Sequence, residues 1–146
     1  MVRDFLSRLM QPDPPELPEQ DARSAMAALL VRIARADGAY EQDEVHRIDR
    51  ILAARYAMTP FEAAALRREA ETVEDEAPDT VRFTRAIKTA VPHDDRLAVV
   101  TALWQVVLAD GRRDEQEDAL LRQVAPLLGI SDRESNAARK RVEDGA

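Results

Sequence analysis

The chain has 146 residues, 45% of them apolar and 34% charged, which suits one compact domain with its own core and a charged surface. Its formal net charge of −7 argues against nucleic acid as a partner, because phosphates select basic patches. The absence of cysteine excludes thiol catalysis, disulfides and thiolate metal sites; it fits a reducing cytoplasm, the expected location.

Residues 2–10 form a short amphipathic segment with Phe5, Leu6, Leu9 and Met10, lacking the long apolar run of a signal peptide. So short a piece is not stable as a free helix, so it is expected to pack on its own domain, with a partner as the alternative. "QPDPPELP" (11–18) is an extended Pro-rich link. Residues 1–18 are therefore separated from a helical domain at 19–146.

That domain opens with a helix near 19–36, where Met26, Leu29, Leu30 and Ile33 fall at i, i+3, i+4 and i+7. A second helix, near 42–56, carries Val45, Ile48, Ile51, Leu52 and Tyr56 on one face. Thr59-Pro60-Phe61-Glu62 supplies an N-cap, a Pro at the first helical position and the Glu of a capping box, opening a helix at 60–74. Asp79 after Pro78 opens a helix at 80–91 with Phe83, Ile87 and Val91 on its apolar face.

Pro92 precedes a helix at 94–109 that contains the longest apolar stretch, "LAVVTALWQVVLA". It is too short to span a bilayer and is interrupted by Thr101 and Gln105, so it predicts the most buried helix. A helix near 115–128 follows, in which Pro126 predicts a bend or an early end. Ser131 and Glu134 repeat the capping box and open the last helix, 132–143, whose Arg139, Lys140 and Arg141 read as a solvated face. No stretch sustains the two-residue alternation of a half-buried strand. The fold class is all-α, a single-domain bundle of about seven helices.

Two short segments are alike. "ARADGAYEQDE" (34–44) and "VLADGRRDEQE" (107–117) each write Ala-Asp-Gly, two residues, an acid, two residues and Glu. Each stands between helices of a helix–turn–helix–capping box–helix unit, so the chain reads as two similar three-helix halves joined by the helix at 80–91. Gly38 and Gly111 end one helix. Glu41 or Asp114 then caps the next, with Glu44 or Glu117 three residues on.

Turn chemistry accounts for the glycines, the caps and the glutamates with no ligand at all. It leaves Asp37 and Asp110 unexplained, since an acid at the negative end of a helix is unfavourable. An EF-hand is excluded: Gly38 with Glu44 and Gly111 with Glu117 match its sixth and twelfth positions, but Ile33, Arg35, Val106 and Leu108 occupy the first and third. Hard divalent cations take oxygen ligands, so Asp37, Glu44, Asp110 and Glu117 become candidate metal ligands if the loops meet. Otherwise these carboxylates need basic neighbours to offset their repulsion.

The doubled "ADGAYEQDE" and "ADGRRDEQE" units, with the helices around them, resemble the tellurite-resistance TerB-like family over about residues 20–143. The resemblance implies a seven-helix bundle of two similar halves. It implies divalent metal binding by acids near the Asp-Gly turns, here Asp37, Glu44, Asp110 and Glu117, with Gly38 and Gly111 as turn formers. It also implies protein partners in stress-associated complexes, sometimes peripheral to membranes. The sequence departs from the family at Glu41, where Ser or Thr is common, and at Arg112-Arg113 inside the second loop.

Other constellations are weaker. His46 and His93 have no His or Cys at metal spacing, although His93-Asp94-Asp95 offers one ligand; capping or solvation accounts for both. Trp104 and Phe83 read as core, and no Gly-rich phosphate loop or nucleophile elbow occurs. The expectation is a non-catalytic binding or interaction module, taking Ca²⁺, Mg²⁺ or Zn²⁺ or a basic protein surface through its acidic loops. A metal-free helical scaffold is the alternative, and a metal-dependent hydrolase ranks behind both for want of a positioned base.

Overall fold

Capping signals fold much as they are spelled. Thr59 Oγ1 accepts from the Glu62 amide at 3.1 Å while Glu62 Oε1 accepts from the Thr59 amide at 2.9 Å. Ser131 and Glu134 repeat the exchange at 3.1 Å in both directions. The computed structural model describes residues 6, 7, 10, 19–36, 38, 40–77, 79–108 and 115–145, without side chains at 19, 20 and 117. Its helices are α1 (Glu19–Ala34), α2 (Gln42–Tyr56), α3 (Pro60–Glu76), α4 (Thr80–Ala90), α5 (His93–Val107), α6 (Glu115–Leu127) and α7 (Asp132–Glu143). No strand occurs among the described residues. The protein is an all-α helical bundle.

Boundaries move by a residue or two, each for a local reason. The α1 helix stops at Ala34, two residues before the expected end, because Ala36 and Gly38 turn back onto the Ile33 and Arg35 carbonyls. The α3 helix runs two residues further, to Glu76, until Ala77 takes an extended conformation; a residue before proline is disfavoured in the helical region. Pro126 falls in the last turn of α6, which ends at Leu127, so it terminates the helix rather than kinking it.

The core is built around two helices. α1 packs chiefly on α3 and α5 chiefly on α7, while α1 and α5 pack on each other; α4 lies against α6. The expectation that α5 is the most buried helix needs correction. In α1 every residue from Ser24 to Val31 is buried, as are Ile33 and Ala34. Alanines at 25, 27 and 28 let neighbours approach α1 from several sides, so its burial exceeds what its large apolar stripe shows. Leu6, from the N-terminal segment, is also part of the core and 8% exposed. No helix among the described residues is long and apolar enough to cross a membrane.

Candidate functional site

The first Asp-Gly loop is held from both sides. At the end of α1, Arg35 Nη1 donates to Glu74 Oε1 at 3.1 Å and to Asp75 Oδ1 at 2.8 Å, both on α3. One turn earlier, Arg32 Nη2 donates to Glu74 Oε2 at 3.3 Å. These cations also suit the negative end of α1. Beyond Gly38, Tyr40 lies under the Arg35 guanidinium, 4.9 Å from it to the ring centre. Burial first, and then the Glu71 carboxylate, push the Tyr40 hydroxyl well above its ordinary pKa, so it stays neutral. Arg67 pairs with Asp49 of α2 at 2.7 Å and with Glu71 at 3.3 Å, tying α2 to α3 under the same loop.

At the far side the capping box forms as expected, with the Glu41 amide donating to Glu44 Oε1 at 3.4 Å. Glu44 is therefore a helix cap first, and a cation would have to engage it through the other carboxylate oxygen. It is the one expected metal ligand whose side chain is described. Asp37 and Asp110 lie outside the described residues, as do Gly111 and Asp114, and so does the Glu117 side chain. Among the described residues, no group of three or more His, Asp or Glu could hold a metal ion.

Both histidines have ordinary surface partners. His46 Nε2 is 3.1 Å from Gln42 Nε2 on the same helix. His93 begins α5 and stands 3.5 Å from Glu134 Oε2, at the start of α7, and 3.7 Å from Asp94. It links two helix beginnings. Trp104 and Phe83 are core residues, 1% and 0% exposed.

A feature that sequence reading missed lies between α2 and α5, a cleft of about 570 Å³. The α2 wall carries Arg47, Arg50 and Arg55 around Ile51 and Ala54. The α5 wall presents Ala98, Thr101, Ala102 and Gln105. The signal was legible: positions 47, 50, 51, 54 and 55 share one helical face, adjoining the face that carries Ile48 and Leu52. Arg55 also approaches Asp95 at 3.9 Å and lies 5.4 Å from the Tyr56 ring centre, while Arg23 of α1 covers that ring at 4.6 Å.

No curated protein and no solved structure matches this chain. The family model described as tellurite resistance protein TerB matches residues 23–140, from early in α1 to late in α7, so the chain belongs to the TerB family.

Proposed function

We propose that this TerB-family chain is a non-catalytic binding module that takes a divalent cation, Ca²⁺, Mg²⁺ or Zn²⁺, through its acidic Asp-Gly loops and then presents that face to a protein partner in the cytoplasm. The supporting observation is the frame around the first loop. Arg35 is fixed by Glu74 and Asp75 on one side of Gly38, and Glu41 with Glu44 forms a capping box on the other. A loop fixed at both ends loses little conformational entropy when it closes on a ligand. Carboxylates are the donors that hard divalent cations select.

We further read the bundle as a duplicated unit. The packing of α1 on α3 parallels that of α5 on α7, the two leading helices pack on each other, and α1 with α6 mirrors α5 with α2. The doubled Ala-Asp-Gly segments fall at corresponding places in that pattern. Asp37 and Asp110 with Glu44 and Glu117 are then equivalent pairs, one from each half.

Titration calorimetry and thermal unfolding of the full chain against an Asp37→Ala, Asp110→Ala double variant test the reading. A cation that binds only the folded state stabilises it by about 2.7 kcal/mol at a hundred times its Kd. The wild type should show binding heat and a rising Tm with at least one of the three cations, and the double variant neither. Equal heats in both proteins would move the cation away from these aspartates, and none in either would remove it and leave the metal-free scaffold.

A further inference from the structure

The geometry points to a second site, independent of the acidic loops: the cleft between α2 and α5 binds a small organic phosphate, a phosphate monoester with a short apolar body. Three arginines line one cleft of a chain whose net charge is −7, and no carboxylate is among the described residues lining it. Asp95 approaches the far end of that wall, 3.9 Å from Arg55. Arg47 and Arg50 are three residues apart on α2, so their side chains are neighbours on one helix face. Two adjacent guanidiniums suit a dianion, and the planar fork of arginine matches phosphate oxygens in pairs.

The opposite wall shows what the rest of the ligand must be. Ala98 and Ala102 are small and apolar and, with Ala54 and Ile51, leave room beside the charges for a body without hydrogen-bonding groups. Thr101 donates its hydroxyl proton to the Leu97 carbonyl at 3.3 Å, so it faces a ligand as an acceptor. Gln105 can donate or accept. The volume, about 570 Å³, lies within the range typical of small-molecule sites, which combine apolar walls with a few placed polar groups. Inorganic phosphate would meet the arginines alone and leave the alanine floor unused.

Amide spectra of the full chain, kept in a chelator to remove divalent cations, are titrated with phenyl phosphate, inorganic phosphate, phenol and hexaglutamate. Phenyl phosphate should shift the amides of Ile51, Ala54, Ala98 and Ala102 saturably, inorganic phosphate more weakly, and phenol not at all. Arg50→Gln, at an exposed position and so without effect on folding, should weaken phenyl phosphate about tenfold, the loss of one hydrogen bond to a charged group. Ala98→Leu should erase the advantage of phenyl phosphate over inorganic phosphate while leaving the latter's affinity in place. Absence of saturable shifts at those amides, or shifts that survive Arg50→Gln unchanged, would overturn the assignment. So would shifts produced by hexaglutamate alone, which would give the cleft to an acidic protein surface.

Discussion

Trp104 donates its indole N–H to the Ser135 hydroxyl at 3.0 Å, and both residues are buried, at 1% and 6% exposure. The bond joins the last turn of α5 to the first turn of α7 inside the core. Removing the acceptor should therefore cost more than an average hydrogen bond contributes, because the indole N–H would stay buried and unmatched. Ser135→Ala is expected to destabilise the protein by about 1–3 kcal/mol. Urea unfolding measures it directly, and Trp104, the only tryptophan, reports the changed surroundings as a shift in emission.

Gly129 and Gly38 both adopt left-handed backbone, with φ of +76° and +80°, yet they should respond differently to alanine. At Gly38 an added Cβ meets nothing within 4 Å, so Gly38→Ala should cost only the left-handed strain, about 1 kcal/mol. At Gly129 the added Cβ would lie 2.7 Å from Arg96 Nη1 and 3.1 Å from Lys88 Cε. Arg96 is not free to move, since Nη1 donates to the Leu128 carbonyl and Nε to the Val91 carbonyl at 2.9 Å. Gly129→Ala should thus lose about 2–3 kcal/mol, strain plus a disturbed hydrogen bond. Comparing the two denaturation midpoints reports the crowding by Arg96 and Lys88 together.

Acid should weaken the bundle through its capping boxes. The backbone amide of Thr59, and then its side chain, hold the Glu62 carboxyl below the ordinary value of 4.5; a smaller desolvation opposes this. Ser131 does the same for Glu134, with His93 adding a smaller pull. A carboxylate whose folded-state pKa is depressed stabilises the fold above its unfolded pKa and loses that contribution as pH falls through the lower, folded value. The urea midpoint should therefore hold from pH 6 to about 5 and fall below about 4.5. In a Glu62→Gln, Glu134→Gln variant the midpoint should start lower and fall less; a parallel decline in both proteins would show that other carboxylates control the acid limb.

Helix identity was most legible where a start is written twice, once in the cap and once in the spacing of the buried face: Thr59 with Ala63 and Leu66, Ser131 with Ser135 and Ala138. Burial was less legible. Alanine carries almost no periodicity signal, so α1 reads as a stripe of Met26, Leu29, Leu30 and Ile33 and folds with every residue from Ser24 to Val31 buried. The candidate site divides similarly. Glu41 and Glu44 were readable because a capping box is local, within four consecutive residues. The Arg32–Glu74 and Arg35–Asp75 pairs join positions about forty residues apart, and nothing in the spacing of either helix points at the other. The arginine wall of the cleft was written on one face of α2; its partner wall becomes visible only when α5 packs beside it.

Glu74 is the residue on which the frame of the first Asp-Gly loop depends most. Its two carboxylate oxygens receive Arg32 and Arg35 separately, at 3.3 and 3.1 Å, and Arg32 and Glu74 are each only 14% exposed at the side chain. Glu74→Gln keeps the shape and removes the charge. Arg35 would retain Asp75, at 2.8 Å but exposed, and Arg32 would retain Thr80 at 3.4 Å and the Phe83 ring at 5.4 Å. The expected loss is about 1–3 kcal/mol, between a surface pair and a fully buried one. Replacing Arg32 and Glu74 together by leucine should recover part of it, because two apolar groups in a shielded place avoid the desolvation cost of an ion pair. Hydrogen exchange adds a readout specific to the loop. If Arg35 positions Tyr40 only while Glu74 anchors it, exchange at the amides of Gly38 and Tyr40 should accelerate in Glu74→Gln while the amides of Val99 to Leu103 in α5 stay protected. Uniform acceleration across both sets would mean that Glu74 supports the bundle as a whole and not the loop in particular.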